Sequence, residues 1–562
     1  MARTKDKSDT GGAPSPETET QTFLESLPEL DAPLAARRLR DWLENLPRSH
    51  ADPAALYAAL NTIDSRVAAV ATTLGGRHVT LSLPLSGRIL EELEAIRQLH
   101  LAHARAWLHV VHSLPDKGAK PLARRDRELQ AQARLRALRA LTDVLLSSYR
   151  YYRDIPKGVW RDIHQAYWRG VYADAVGKPR YPEEKEAQAE YTRALLLGLC
   201  GAGQLPYRAI DQVALALARD WKPEALIKGQ SVIGDSDSPR GRFLIDAASD
   251  RPATPVLSGV RARPTDQILV TAPLITQLRE RFEHLVRSLS GDADTGRLPP
   301  DFGELEMLRT LIGKWSGGAL RRQKRTPART PGKVVGGLSR IYQTFSTAGN
   351  ETEAEIVLST AETLLNPFRQ ITHSSLPPQP QWMEISLEDQ SDEGLCIRVP
   401  RQTGAYLAVG DLICTRHAER AAGAEIGVIA RARALGADEV EFGIRKLGVA
   451  RDTARIYLVG KDASPGDTEN LGMPFRALVL DRTKTRPEMI VADKGLYRPG
   501  ATLWATWSSE VHIVRADALF LSTRNFDAFT YATAVSAAHV GGLFAKPIKR
   551  SSGTGGDQET VI

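Results

Sequence analysis

The sequence predicts an α+β, multidomain protein in which an all-α helical N-terminal domain precedes two small β domains. Three observations carry this. Apolar residues recur at three- and four-residue steps from Phe23 to about Trp315. After Gly317 the chain turns to short β-branched runs bounded by turn residues. The length of 562 residues corresponds to about three to four domains at ~150 residues each. Helices come first and strands follow without alternation, which argues against a doubly wound nucleotide fold.

Residues 1–20 are polar and rich in Gly, Pro, Ser and Thr, so burial cannot offset their ordering entropy and a disordered tail is expected. The helical domain, 21–316, opens with Leu34, Leu39, Trp42 and Leu46 at helical spacing, and Pro47 is expected to close that helix. Leu90, Leu93, Ile96, Leu99 and Leu101 mark a helix within 83–114. Further helices are predicted at 127–152, 157–177, 183–202, 208–220 and 266–289, separated by Pro-, Gly- and Asp-containing joints. The lengths imply a bundle or a stack of helix pairs, and no fixed repeat period stands out. Strands are predicted at 333–345, 382–387, 394–399, 411–415, 425–433 and 438–445, spaced as in a small barrel or sandwich over 317–450. Between the first two lies a helical insertion at about 350–375, capped by Asn350. A second series, 453–460, 475–481, 487–492, 501–507 and 510–522, forms the second β domain, 451–544, before a disordered tail at 545–562. Trp504 and Trp507, three apart on one strand, are expected to face opposite sides, one in the core and one outside.

Hydrophobic residues make up 42% of the chain and charged residues 25%, with no apolar run long enough to span a membrane and no export signal, so a cytoplasmic protein is expected. Three cysteines, none in a Cys-x-x-Cys pair, fit a reducing compartment and exclude a four-cysteine zinc site. There is no Gly-x-x-x-x-Gly-Lys-Ser/Thr loop, no Gly-x-Ser-x-Gly elbow and no His-Glu-x-x-His, so the chain does not read as an enzyme. The densest histidine group, His100, His103, His109 and His112, lacks a nearby carboxylate or cysteine to complete a metal shell, and polar-facing helix histidines are the better account. No metal or cofactor is expected.

The net charge of +7 matters because it clusters. Residues 321–333, RRQKRTPARTPGK, place Arg321, Arg322, Lys324, Arg325, Arg329 and Lys333 together with no acid, and Pro327 and Pro331 keep the run from being helical. It reads either as a solvated linker or as an extended basic arm that binds phosphates and guanine edges. At 389–394, DQSDEG, a turn between two predicted strands carries Asp389, Ser391 and Gly394. An aspartate beside arginines suits guanine: the carboxylate accepts from N1–H and the exocyclic amine, while arginine donates to O6 and N7.

Arg325-Thr-Pro-Ala-Arg329 followed by Asp389-x-Ser391-x-x-Gly394 resembles the PilZ family of cyclic-di-GMP receptors, which carries Arg-x-x-x-Arg before its first barrel strand and Asp/Asn-x-Ser-x-x-Gly a strand or two later. Gly410-Asp411, Glu425-Ile-Gly427 and Glu441-Phe-Gly443 look like later barrel strands. The likeness covers about 320–450, and the helical front end is more loosely similar to large PilZ-containing regulators of proteobacteria. It departs in spacing: Arg329 and Asp389 lie 60 apart, an excess that the insertion explains. A register using Arg321 and Arg325 is the alternative. The resemblance implies that Arg325 and Arg329 hold phosphates and guanine edges, that Asp389 reads a guanine edge, that Ser391 and Gly394 shape the turn, and that Arg322 adds phosphate contacts. The expected function is a cyclic-di-GMP-binding regulator that passes the second-messenger state to its helical domain or a protein partner. Two alternatives stand beside it: a nucleic-acid-binding adaptor and a protein-interaction scaffold that binds no nucleotide.

Overall fold

The computed structural model describes residues 16–49, 52–76, 83–114, 124–168, 182–207, 209–219, 221, 226–229, 240–256, 267–291, 302–317, 325–346, 382–400, 407–417, 424–436, 439–458, 474–483, 486–508 and 510–536. The predicted insertion at 350–375 and the C-terminal tail lie outside them, as does Arg322. The chain forms two compact units. The first takes Met1–Pro331, Glu384–Gly410 and Ile429–Arg445, and the second Gly332–Met383, Asp411–Val428 and Lys446–Ile562.

In the first unit the helices are α1 (Pro16–Glu25), α2 (Ala32–Ser49), α3 (Pro53–Gly76), α4 (Gly87–Ser113), α5 (Arg124–Arg150), α6 (Val159–Trp168), α7 (Pro182–Leu199), α8 (Ala209–Arg219), α9 (Ala272–Gly291) and α10 (Phe302–Trp315). The helical pattern thus folds as its periodicity predicts, with some differences at the ends. Helix α1 begins inside the expected tail, where Pro16 suits a first helical position and Glu17 and Glu19 favour the positive end of the helix dipole. Pro47 lies inside the last turn of α2 rather than after it; so near the C-terminus its missing N–H costs one hydrogen bond. Asp31 caps α2, accepting from the Leu34 amide at 2.9 Å.

The domain is also not all-α. A four-stranded antiparallel sheet, ordered β1 (Leu226–Gly229), β4 (Gln267–Val270), β2 (Arg242–Ile245) and β3 (Thr254–Pro255), stands between α8 and α9. Its strands of two to four residues are too short to show a period of two. Helix α10 ends on Trp315, fully buried, whose indole donates to the Leu196 carbonyl at 3.1 Å and whose own carbonyl accepts from the Thr271 hydroxyl at 2.6 Å.

The predicted histidine group divides. His100 and His103 are buried and His109 and His112 exposed, because nine residues at ~100° each bring the later pair to the opposite face of α4. His103 Nε2 lies 2.7 Å from Asp64 Oδ1, an oxygen that also accepts from the Trp107 indole at 3.1 Å, and Arg136 binds the other Asp64 oxygen at 2.9 Å.

The remaining strands are β5 (Thr326–Gly336), β6 (Met383–Gln390), β7 (Gly394–Pro400), β8 (Leu412–His417), β9 (Glu425–Leu435), β10 (Glu439–Leu458), β11 (Phe475–Leu480), β12 (Met489–Asp493), β13 (Thr502–Trp507), β14 (Glu510–Ser522) and β15 (Phe526–Ser536). Hydrogen bonds order them β11-β12-β15-β14-β13-β10-β7-β6-β5-β8-β9, and a further β10–β9 pairing closes β5 to β10 into a six-stranded barrel. Three expectations change. The segment 333–345 is a strand only to Gly336; Gly337, at φ +91°, turns the chain into helix α11 (Leu338–Ser346). The strands expected at 438–445 and 453–460 are one 20-residue strand, β10, because Gly448 and Asp452 mark a close backbone approach and a bulge instead of a turn. Trp504 and Trp507 are both buried, Trp507 because His512 stacks on it at 3.8 Å. The second unit's core runs from Val335 and Ile341 through Ile426, Leu478 and Val491 to Phe526, with a further cluster around Ile456, Val479, Leu503 and Phe529.

Candidate functional site

The site lies wholly in the first unit, on the sheet face that β6, β7 and β10 turn away from their core. Along these strands Ile385, Leu387, Leu395, Ile397, Val399, Val440, Phe442 and Ile444 are buried and alternate with residues of the other face. On that alternation Asp389 would follow Ile385 and Leu387 inward. A bulge prevents it: Leu387 pairs with Ile397 but Asp389 with Cys396, so Glu388 is the extra residue. Asp389 is thereby placed in a cross-strand row with Cys396 and Gly443, where a period-two reading of the sequence would not put it.

Arg325, just before β5, meets it there, with Nη1 donating to Asp389 Oδ1 at 2.5 Å. Their side chains are 21% and 29% exposed, enough shielding for the pair to matter and enough opening for a ligand to reach it. Four residues on, Arg329 is exposed, sits at φ +41° and has no ion-pair partner among the described residues. A left-handed arginine between two prolines is a strained position of the kind that persists at functional sites. Of the two arginines, then, it is Arg325 and not Arg329 that the structure pairs with Asp389.

The turn from β6 to β7 is built by its own serine. The Ser391 amide donates to the Gly394 carbonyl at 2.8 Å, and the Gly394 amide donates to Ser391 Oγ at 3.2 Å. Gly394 is required for approach and not for a left-handed backbone. A Cβ there would lie 2.9 Å from the Ile444 carbonyl oxygen and 3.8 Å from both Arg325 Nη2 and Ser391 Oγ. The structure therefore brings Arg325, Asp389, Ser391 and Gly394 together.

Two residues that the motif reading missed lie beside the row. Arg431 of β9 donates to Glu441 Oε1 at 2.8 Å and reaches Cys396 Sγ at 3.7 Å. Its side chain lies across Gly443, whose absent Cβ would fall 2.4 Å from Arg431 Nε. A glycine inside a strand, Gly443, was the available signal of such an approach. Burial, reinforced by the Glu441 and Asp389 carboxylates, pushes the Cys396 thiol up to about 11, with Arg431 acting the other way. Beyond Arg431, β9 meets the helical region at three consecutive residues. Gly203 closes to 2.9 Å of the Ala432 carbonyl oxygen by its would-be Cβ, Arg433 makes a forked pair with Asp154 at 2.8 and 3.1 Å, and the Ala434 amide donates to the Tyr152 carbonyl at 2.9 Å. On β10, Arg445 faces Glu306 and Arg309 of α10; burial raises the Glu306 carboxyl and lowers the Arg445 guanidinium.

Comparison with known families adds an observation from another part of the chain. Residues 18–230 match the family model described as the N-terminal domain of the cyclic-di-GMP receptor FimW. The match covers α1 to α8 and β1, less than half of the chain, and shares no residue with the Arg325–Gly394 motifs. No curated protein and no solved structure matches. No helix among the described residues is long and apolar enough to cross a membrane, and no described cluster of His, Cys, Asp or Glu has a metal-binding arrangement.

Proposed function

We propose that this chain is a cyclic-di-GMP-binding regulatory protein with a PilZ-like barrel, and that it passes the ligand state to its helical region. The observation that carries the reading is the Arg325–Asp389 pair: two motifs 64 positions apart meet on one face of the barrel strands. The FimW-type match over 18–230 supports the same ligand from residues that lie outside both motifs. On this reading Arg325 and Arg329 bind phosphate oxygens and guanine edges through charge-assisted, bidentate hydrogen bonds. Asp389 accepts from guanine N1–H and the exocyclic amine, Ser391 and Gly394 hold the turn open beneath the base, and Arg322 adds phosphate contacts from the same arm.

The geometry of the Arg325–Asp389 pair sets the sequence of events. Asp389 is already satisfied by Arg325, so the ligand must insert between them and replace one charge-assisted bond with several. Arg329, exposed and without an ion-pair partner among the described residues, offers the first contact. Ligand exchange at Asp389 acts two strands from Gly443, over which Arg431 of β9 lies; β9 residues 432–434 touch the helical region, and this is the route by which the ligand state reaches the helices.

The test is a calorimetric titration of the full chain with cyclic di-GMP, GTP and a short single-stranded RNA. Saturable binding of the cyclic dinucleotide with much weaker binding of the other two supports the reading. Preference for RNA supports a nucleic-acid adaptor, and binding of none supports a scaffold.

A further inference from the structure

We propose that Arg431 is a third anion-binding arginine of this site, held in reserve by Glu441. The inference rests on the cyclic-di-GMP reading and adds to it a residue outside both motifs. Four facts on one sheet face lead to it. Asp389, Cys396 and Gly443 are direct cross-strand neighbours, so two strand spacings of ~4.8 Å each separate the aspartate from the glycine over which Arg431 lies. Arg325 approaches this row from the Asp389 end and Arg431 from the Gly443 end, reaching Cys396 Sγ at 3.7 Å. Gly443 carries no side chain, and Arg431 occupies the space that a Cβ would fill. The Arg431 side chain, 34% exposed, remains open to solvent while Glu441 is 18% exposed beneath it.

Each arginine is thus latched by one carboxylate, Arg325 by Asp389 at one end of the row and Arg431 by Glu441 beside the other. A dianionic dinucleotide over Cys396 meets guanidinium groups from both sides, and each can exchange its carboxylate for a phosphate oxygen without a change of backbone. Arg431 also precedes the three residues of β9 that touch the helical region. Its exchange of partners lies next to that contact.

The two members of the pair make opposite predictions, which separates a ligand role from a structural one. Arg431→Ala should weaken cyclic-di-GMP binding about 10- to 100-fold, the loss expected for one charge-assisted contact. Arg431→Lys, which keeps the charge but not the fork, should fall between. Glu441→Gln releases Arg431 and raises the local positive potential, so it should tighten binding about 3- to 10-fold at low salt and steepen the salt dependence. The experiment is calorimetry of the full chain and these variants at two salt concentrations, with Arg325→Ala as reference and circular dichroism confirming the fold. If Arg325→Ala weakens binding and Arg431→Ala stays within about twofold of the parent, the inference is overturned while the sensor reading stands. Equal weakening by Arg431→Ala and Glu441→Gln makes the pair structural and overturns it as well. Absence of binding by the parent protein overturns the sensor reading and this inference together.

Discussion

Removing Arg325 and Asp389 singly and together measures the interaction on which the site is built. Two unit charges ~4 Å apart attract by ~4 kcal/mol at an effective dielectric of about 20, and the Arg325–Asp389 contact is a direct hydrogen bond. Desolvation and the ordering of two side chains oppose that gain. Fully exposed pairs retain ~0.2–1 kcal/mol, and breaking a buried pair costs ~3–5 kcal/mol. With side chains 21% and 29% exposed, Arg325 and Asp389 belong between these limits, and a coupling of about 1–2 kcal/mol is expected. The assay is denaturant unfolding of the full chain, Arg325→Ala, Asp389→Ala and the double variant in one buffer. Each single variant should lose about as much stability as the double. The coupling should shrink as salt is raised, because the pair is partly open to solvent. Single-variant losses that add to the double-variant loss within ~0.3–0.5 kcal/mol would show that the two side chains do not interact, and the argument from their convergence would fail.

Other perturbations test other parts of the account. Gly394→Ala drives a methyl to 2.9 Å from the Ile444 carbonyl oxygen, a paired backbone atom that cannot yield, so unfolding measurements should show a loss of about 1–3 kcal/mol and titration a weaker ligand site. Asp389→Asn turns one acceptor toward guanine into a donor and should weaken cyclic di-GMP more than cyclic di-AMP; equal loss for both would reduce Asp389 to a structural role. Burial lowers the His100 imidazole to about 3, and its interactions with His103 and Arg150 act the same way. The unfolded chain therefore takes up that proton first, and the stability contributed by neutral His100 is present above about pH 6.5 and lost as pH falls from there toward 3. Between pH 6.5 and 5 the loss should be roughly 1.6 kcal/mol in unfolding experiments, and His100→Gln should flatten the slope.

Much of the helical region was legible because α4, α5 and α7 are long, and a helix of 18 to 27 residues repeats its apolar period often enough to be read. Strands β1 to β4 were not, since two to four residues carry no period. The β10 strand was split in two because Gly448 and Asp452 look like turn residues in sequence, and only the neighbouring strands reveal an approach and a bulge. In the site, residue types and order were enough to select Arg325, Asp389, Ser391 and Gly394. Which arginine meets Asp389 was not readable, because that depends on the Glu388 bulge and on the backbone of Arg329. Arg431 and Glu441 were not singled out because neither lies in the Arg-x-x-x-Arg or Asp-x-Ser-x-x-Gly motif; their relation to Asp389 exists only through the pairing of β6, β7, β10 and β9.

The most direct measurement of the central claim is calorimetric titration of the full chain with cyclic di-GMP beside Arg325→Ala and Arg329→Ala. On the proposed reading each arginine would contribute charge-assisted hydrogen bonds of about 1.5–3 kcal/mol. At ~1.4 kcal/mol per tenfold, each variant should bind roughly one to two orders of magnitude more weakly than the parent. A parent protein that gives no heat with the dinucleotide at tens of micromolar, or variants that bind as tightly as the parent, would contradict it.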